Sequence, residues 1–599
     1  MRQTLDFLLN DWLGVQDLTL RERFAEHSGE TFAAVLDTCE KIARDKFAPI
    51  ARLTDTEEPR FDGERVQLPA ATKVATDAYI ASGMLAASQD YTTGGMQLPC
   101  VIEMAANAFF SKANVAIGAY AMLTAGNANL LIAHGTPKQR EVFAAAEFEG
   151  RWFGTMCLSE PQAGSSLSDI VTRALPDGSD FEADPLGSRF RLWGNKMWIS
   201  AGEHELSENI IHLVLAKIPG PDGKLVAGAR GISLFIVPKM MVDGEGRLTG
   251  ERNDVRLAGL NHKLGFRGTS NCLLNFGEAG AGAVGYLVGQ PGEGLKCMFH
   301  MMNEARIGVG LGAAMLGYAG YEASLAYARQ RPQGRALGLG GKDATQPQRP
   351  IIEHADVKRM LLAQKSYVEG GLALALLCAR LVDEQHSGSA ASAQEAKLVL
   401  EVLIPIVKSW PSEWCLEANS LAIQVLGGYG YTRDFPVEQL WRDNRLNMIH
   451  EGTHGIHGLD LLGRKVVMNE GKALQALAAR VGKTVETALQ EPALALLGKA
   501  LASALTRLAQ ATKSAWSSGN PEEALANATP YLQAFGHLVL AWVWLDVALK
   551  AGQGSNDFAK GKQAACRYFF AYELPKIESW LGVVSKPELL CRDMPDAWF

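Results

Sequence analysis

The chain has 599 residues, of which 47% are hydrophobic and 21% charged. That is the balance of a folded protein with several packing units, and it excludes a disordered or fibrous chain. Its 58 Lys and Arg against 65 Asp and Glu leave a formal charge of −7, which gives nucleic acid or an anionic membrane no broad attraction.

Nine cysteines stand singly, with no CxxC pair. A disulfide framework and an iron–sulfur site both lack their spacing, and buried thiols in a reducing compartment are expected. The start, Met1-Arg2-Gln3-Thr4-Leu5-Asp6, lacks the basic region and apolar run of a secretory signal. The most tempting apolar run, 538–545, stops at Asp546 and is too short to span a bilayer. The expectation is a cytoplasmic protein with no transmembrane segment.

In chain order, residues 1–35 form an N-terminal extension. Residues 36–150 are Ala-rich and predict packed helices, interrupted at Gly94-Gly95 and Gly135-Thr136-Pro137. Over 151–290 the signal turns to strands. Short apolar runs lie at 190–199, 211–218 and 232–237, and the turn residues Gly220-Pro221-Asp222-Gly223 separate the last two. Helical signal resumes over 291–465, with a long helix predicted at 295–331, a Gly, Pro and Gln-rich loop at 333–350, and helices at 355–383 and 394–426. A last helical domain, 466–599, is broken at Ser517-Ser518-Gly519-Asn520-Pro521.

Three short motifs invite functional readings. Gly308-Val309-Gly310-Leu311-Gly312 lacks the preceding strand of a dinucleotide fingerprint and predicts close helix packing. Gly220 to Lys224 lacks the full phosphate-loop pattern and predicts a turn. His450-Glu451-Gly452-Thr453-His454 satisfies HExxH, and Glu470 is available as a third zinc ligand. Gly452 is a poor helix former, however, and the surrounding Asn447-Met448-Ile449 and Gly455 predict a bend.

Four separated blocks, in order, resemble the acyl-CoA dehydrogenase family. They are 156–165 (MCLSEPQAGS), 194–202 (GNKMWISAG), the set Asn303, Arg306, Tyr327 and Arg331, and 424–431 (QVLGGYGY) joined to Glu451-Gly452-Thr453. The resemblance covers 36–465. It implies a mainly α fold with a central β-barrel-like domain, extended by a C-terminal helical domain as in 3-methylmercaptopropionyl-CoA and bacterial fatty acyl-CoA dehydrogenases.

The same resemblance implies FAD. It assigns cofactor contacts to Leu158, Ser159, Trp198 and Ser200 beside the flavin, and Thr453 and His457 also to the cofactor. Arg331 is set on one side of a subunit contact, with Gln424, Gly427 and Gly428 on the other, so an oligomer is implied, a homodimer in the first instance. Ser165, Asn303, Arg306 and Gly452 are carried to the acyl-CoA substrate and Glu451 to the catalytic base, with no metal.

The implied reaction removes a proton next to the thioester while flavin takes hydride from the next carbon, giving trans-2-enoyl-CoA. Electrons then pass to electron-transfer flavoprotein. The alternatives are an acyl-CoA oxidase using O₂, a zinc-dependent hydrolase and a binding scaffold with a vestigial pocket. His450 stands where many relatives have Tyr, His457 where many have Gln, and Thr269 and Asn271 replace the commoner Ser and Thr. His450 and the C-terminal extension favour short, medium or functionalised acyl groups, a thioether among them.

Overall fold

The computed structural model describes residues 1–338, 341–552, 554 and 556–599. Leu339 and Gly340, inside the loop expected over 333–350, lie outside the described residues. The rest of that loop carries a short antiparallel pair, Leu337–Gly338 with Gly341–Lys342. The chain divides into two compact units. One comprises residues 30–98 and 109–305, the other residues 1–29, 99–108 and 306–599.

The first unit is built on eight strands: β1 Trp152–Cys157, β2 Arg173–Pro176, β3 Arg189–Ser200, β4 Asn209–Lys217, β5 Ile232–Pro238, β6 Val255–Leu260, β7 Asn271–Phe276 and β8 Ala283–Val288. Strands β3, β8, β5 and β4 pair in that order, and β2 pairs with both β3 and β4, so five strands close into a barrel. Closure removes edges that would otherwise template aggregation. Strand β1 adds parallel to β4, and β7 and β6 extend from β3.

Strands β4 and β5 are buried at every position, which explains why the sequence shows them as continuous apolar runs without alternation. Phe190, Leu192, Val214, Phe235 and Phe276 belong to one buried cluster. Two hydrogen bonds between Gly220 and its neighbours, to Lys224 O and from Gly223 N at 2.9 Å each, close the turn between β4 and β5.

In the second unit, helices Ala355–Ser387 and Ala390–Leu426 are joined by Gly388 and Ser389, whose side chain caps the second helix by accepting from Ser392 N. The predicted 295–331 helix runs over Gly294–Gln330. At Gly310, an added Cβ would stand 1.9 Å from the Val407 carbonyl oxygen, so this glycine serves close helix packing.

The C-terminal part of this unit comprises helices Met468–Gln490, Ala495–Ala515, Ala528–Ala551, Asp557–Tyr568 and Ile577–Ser585. Residues 1–29 pack with it: Trp12 Nε1 donates to Asp546 at 2.8 Å, and Lys562 donates to Thr4 at 3.0 Å. Of the extension expected over 1–35, residues 1–29 belong to this unit and 30–35 to the barrel unit.

The span Cys100–His134 is helical on both sides of a kink at Asn114, whose backbone is non-helical. The 538–545 run, expected to be too short to span a bilayer, lies within helix Ala528–Ala551. That helix and Cys100–His134 are both long and apolar enough to cross a membrane, with 83% and 61% of their most apolar stretches buried in the protein. Burial inside the fold accounts for that composition.

Candidate active site

The residues singled out by sequence fall in two places. In the barrel unit, β1 leads into the 158–165 segment, and a buried ion pair fixes that segment. Glu160 accepts from Lys196 Nζ at 3.0 Å, Val171 N at 2.7 Å, and Thr172 N and Oγ1 at 3.0 and 2.5 Å. Lys196 also donates to the Leu158 carbonyl at 2.9 Å, and Met197 N donates to the Ser159 carbonyl at 3.0 Å. Burial acts to raise the Glu160 carboxyl, but the Lys196 ammonium and these hydrogen bonds outweigh it and hold it below the ordinary carboxylate value.

Immediately beyond Lys196 the β3–β7 register shifts, and Trp198 takes φ +65°. A bulge at this point re-aims a side chain. Trp198 is accordingly 58% exposed although its strand neighbours Ile199 and Lys196 are buried. Ser200 Oγ accepts from Asn271 at 3.3 Å, so the Asn that replaces the commoner Thr holds this hydroxyl. Leu158 and Ser159 are half-buried, and Ser165 is exposed.

In the helical unit, Arg331 ends the 294–330 helix with its guanidinium 5.6 Å above the Tyr429 ring. The Gly427–Tyr431 turn and Arg331 therefore lie side by side within the chain. Gln424, Gly427 and Gly428 are exposed. A Cβ at either glycine would meet nothing, and Gly427 has φ +62°, so this backbone is open to a phosphate-bearing cofactor beside a cation. These residues fit the phosphate side of FAD; within the barrel unit, the outward Trp198 and its neighbouring hydroxyls fit a flavin ring.

The 447–457 segment supplies the acid. Glu451 has φ +55° and Gly452 φ +97°, both left-handed. An added Cβ at Gly452 would also stand 2.7 Å from His457 Nε2. His457 donates through Nε2 to the Glu451 carbonyl at 3.1 Å. It is fully buried, and burial pushes its imidazole down to about 2, so the ring is neutral. His457, expected as a cofactor contact, braces the Glu451 turn through this bond. Thr453, expected likewise, accepts from Ile456 N as the N-cap of helix His454–Asp460.

His450 donates to Asn447 at 2.9 Å, and the chain of amides continues through Asn444 and Asn419 to the Leu316 carbonyl. This ladder ties the turn to two long helices, and no sequence pattern announced it. Burial raises the Glu451 carboxyl above its ordinary value, while Arg306 and then Lys408 oppose the rise. Arg306 is buried and Asn303 exposed.

The same geometry disposes of the HExxH motif. Zinc hydrolases need both histidines on one helical face, but here residues 450–453 form a turn and the helix begins only at His454. No group of three potential metal ligands is gathered among the described residues.

Comparisons with known proteins agree with this architecture. Residues 341–466 match the family model for the acyl-CoA dehydrogenase C-terminal domain, and residues 477–595 match one described as acetyl-CoA dehydrogenase C-terminal like. The chain is 35% identical to 3-methylmercaptopropionyl-CoA dehydrogenase of Ruegeria pomeroyi over 93% of its own length and 90% of the relative's. It is 31% identical to a broad-specificity linear acyl-CoA dehydrogenase of Mycobacterium tuberculosis over 99% and 98%.

Among solved structures, Caenorhabditis elegans ACDH-11 in complex with C11-CoA superposes with TM-score 0.77 at 19% identity, covering 95% of this chain and 92% of that one. An acyl-CoA dehydrogenase of Bacillus anthracis complexed with FAD gives 0.74 at 20%, covering 96% and 90%. The chain belongs to the acyl-CoA dehydrogenase family, FAD-dependent oxidoreductases that act on the CH–CH bond of acyl-CoA thioesters.

Proposed function

We propose that Glu451 is the base that removes the proton from the carbon next to the thioester. The observation that carries this is its setting: a partly buried carboxylate on a left-handed turn, raised by desolvation and answered by Arg306 and Lys408. A general base works best when its pKa approaches the working pH. The Glu451 backbone N–H donates to the thioester oxygen and stabilises the charge that develops there as the proton leaves. FAD, when bound, accepts the hydride from the adjacent carbon.

Leu158, Ser159, Trp198 and Ser200 orient the flavin ring, with Thr453 as a further cofactor contact. Arg331 with Gln424, Gly427 and Gly428 receives the phosphate and adenine side, in a homodimer. Arg306, Asn303, Ser165 and Gly452 serve the acyl-CoA. The protein works in the cytoplasm, its five segments divided at 35, 150, 290 and 465, and it passes electrons to electron-transfer flavoprotein. The acyl group is short to medium or functionalised, a choice supported by the names of relatives acting on 3-methylmercaptopropionyl-CoA and butyryl-CoA.

Anaerobic bleaching of the flavin by propionyl-, butyryl-, octanoyl-, palmitoyl- and methylthiopropionyl-CoA tests the substrate class, and a wide kcat/KM preference for palmitoyl-CoA rejects it. Rapid stoichiometric H₂O₂ formation without reduction of electron-transfer flavoprotein rejects the acceptor. Glu451→Gln keeps the shape and the FAD content but lowers flavin reduction at least about 100-fold. Near-normal reduction at saturating substrate removes Glu451 from the role.

A further inference from the structure

Lys408 sits in the middle of helix Ala390–Leu426, within a run from Val402 to Ser412 that is buried at every position. Its own side chain is fully buried. An ammonium in such a place persists only with compensation. Among the described residues it has no carboxylate within ion-pair distance, and its Nζ donates instead to the carbonyl of Gly452, 2.5 Å away and 44 positions along the chain. The charge is spent on the Gly452–Thr453 peptide, the second after Glu451.

That peptide belongs to the turn where Glu451 and Gly452 take φ +55° and +97°. His457 Nε2 donates to the Glu451 carbonyl and Lys408 Nζ to the Gly452 carbonyl. Two successive carbonyls are therefore held by two buried donors, one neutral and one cationic. A left-handed glutamate is an uncommon conformation that surrounding structure must enforce.

We propose that Lys408 is a positioning residue for the dehydrogenation: it pins the Gly452 carbonyl so that the Glu451 turn keeps its left-handed form, and it sets a buried positive charge beside the base. This rests on the reading of Glu451 as the base. The groups that bear on the pair are Glu451 itself, Arg306 from helix Gly294–Gln330, and His454 and His457 from the helix that follows the turn. Burial brings the Lys408 ammonium down to about 7, with the Glu451 charge opposing and Arg306 adding to the fall. Burial likewise lowers His454, to about 4, and keeps both histidines neutral near pH 7. The cations acting on the carboxylate are then Arg306 and, below about pH 7, Lys408. Removing Lys408 leaves burial less opposed, and Glu451 titrates higher.

The experiment is anaerobic stopped-flow reduction of the holoenzyme flavin by a saturating acyl-CoA, followed against pH in the wild type and in Lys408→Met, Lys408→Gln, Lys408→Arg and Glu451→Gln. Lys408→Met is expected to lower the maximal reduction rate roughly 10- to 100-fold, the scale of a misplaced catalytic group, and to move the rising limb of the profile to higher pH. Lys408→Gln keeps a donor for Gly452 without the charge, so it retains more rate but shows the same alkaline shift. Lys408→Arg restores the limb to its wild-type position.

A wild-type profile in Lys408→Gln overturns the proposal, as does an equal rate loss in all three variants with the limb unmoved. Should Lys408→Met fail to fold or to hold flavin, the Gln and Arg variants decide between the same outcomes. Normal reduction in Glu451→Gln defeats the base assignment itself. Loss there with unchanged Lys408 variants defeats only the role of Lys408.

Discussion

Two fully buried lysines each stand beside a left-handed turn, and they differ in what answers their charge. Lys196, in the barrel unit, forms an ion pair with the buried Glu160 and precedes Trp198 at φ +65°. Lys408, in the helical unit, has a peptide carbonyl as its hydrogen-bond partner and adjoins Glu451 at φ +55°. In the first, the Glu160 carboxyl ends below its ordinary value. In the second, the Glu451 carboxyl is raised and the ammonium brought down to about 7. A closed pair holds its carboxylate charged in a scaffold, whereas the unclosed one leaves burial to raise the carboxyl and lower the ammonium.

The largest expected effect comes from opening the closed pair. Glu160→Gln leaves the Lys196 ammonium buried without a counter-charge and weakens the acceptor for Val171 and Thr172, so about 3–5 kcal/mol of stability is lost. Denaturant unfolding of the flavin-free protein measures this, and a loss below about 1 kcal/mol would show that Lys196 finds water or another acceptor. The sign with pH follows from the lowered carboxyl. Glu160 contributes its stability above the unfolded-state pKa and loses it as pH falls through the lower folded value.

Strain at the second turn gives the next effect. Gly452→Ala places a Cβ at φ +97°, 2.7 Å from His457 Nε2, at a cost of about 1–3 kcal/mol. The turn must then shift, and reduction by acyl-CoA should fall by roughly 10- to 100-fold while FAD content stays near normal. Full activity in this variant would mean that the left-handed turn has no part in placing Glu451.

Much of the fold was legible because it is written locally. Helix Ala390–Leu426 was predicted over 394–426, and strands β3, β4 and β5 stood out as apolar runs bounded by turn residues. The helix–β–helix order follows from those segments, and the barrel from the resemblance. What stayed hidden depends on distant single residues. Nothing near Trp12 signals that it bonds Asp546, 534 positions away. A lone Lys408 inside an apolar helix has no periodicity to mark it, and the Asn419, Asn444 and Asn447 ladder exists only after helices meet. The HExxH motif shows the converse, since a local pattern loses its meaning when Gly452 turns the backbone.

Trp198 carries the smallest expected effect on stability and thereby separates scaffold from contact. The ring is 58% exposed on a backbone at φ +65°, so little packing is lost on truncation and the left-handed strain is common to Trp and Ala. Trp198→Ala should unfold within about 0.5 kcal/mol of the wild type. Trp198→Gly should behave alike, because relief of a left-handed side chain, about 1–2 kcal/mol, is offset by the entropy of an added glycine, about 0.5–1 kcal/mol. Both variants should nonetheless retain less flavin through gel filtration than Glu160→Gln does under conditions where it remains folded. If instead Trp198→Ala kept its flavin and lost stability, the bulge after Lys196 would be part of the scaffold that Glu160 closes, and the contrast between the two lysine sites would narrow to the charge on Glu451 alone.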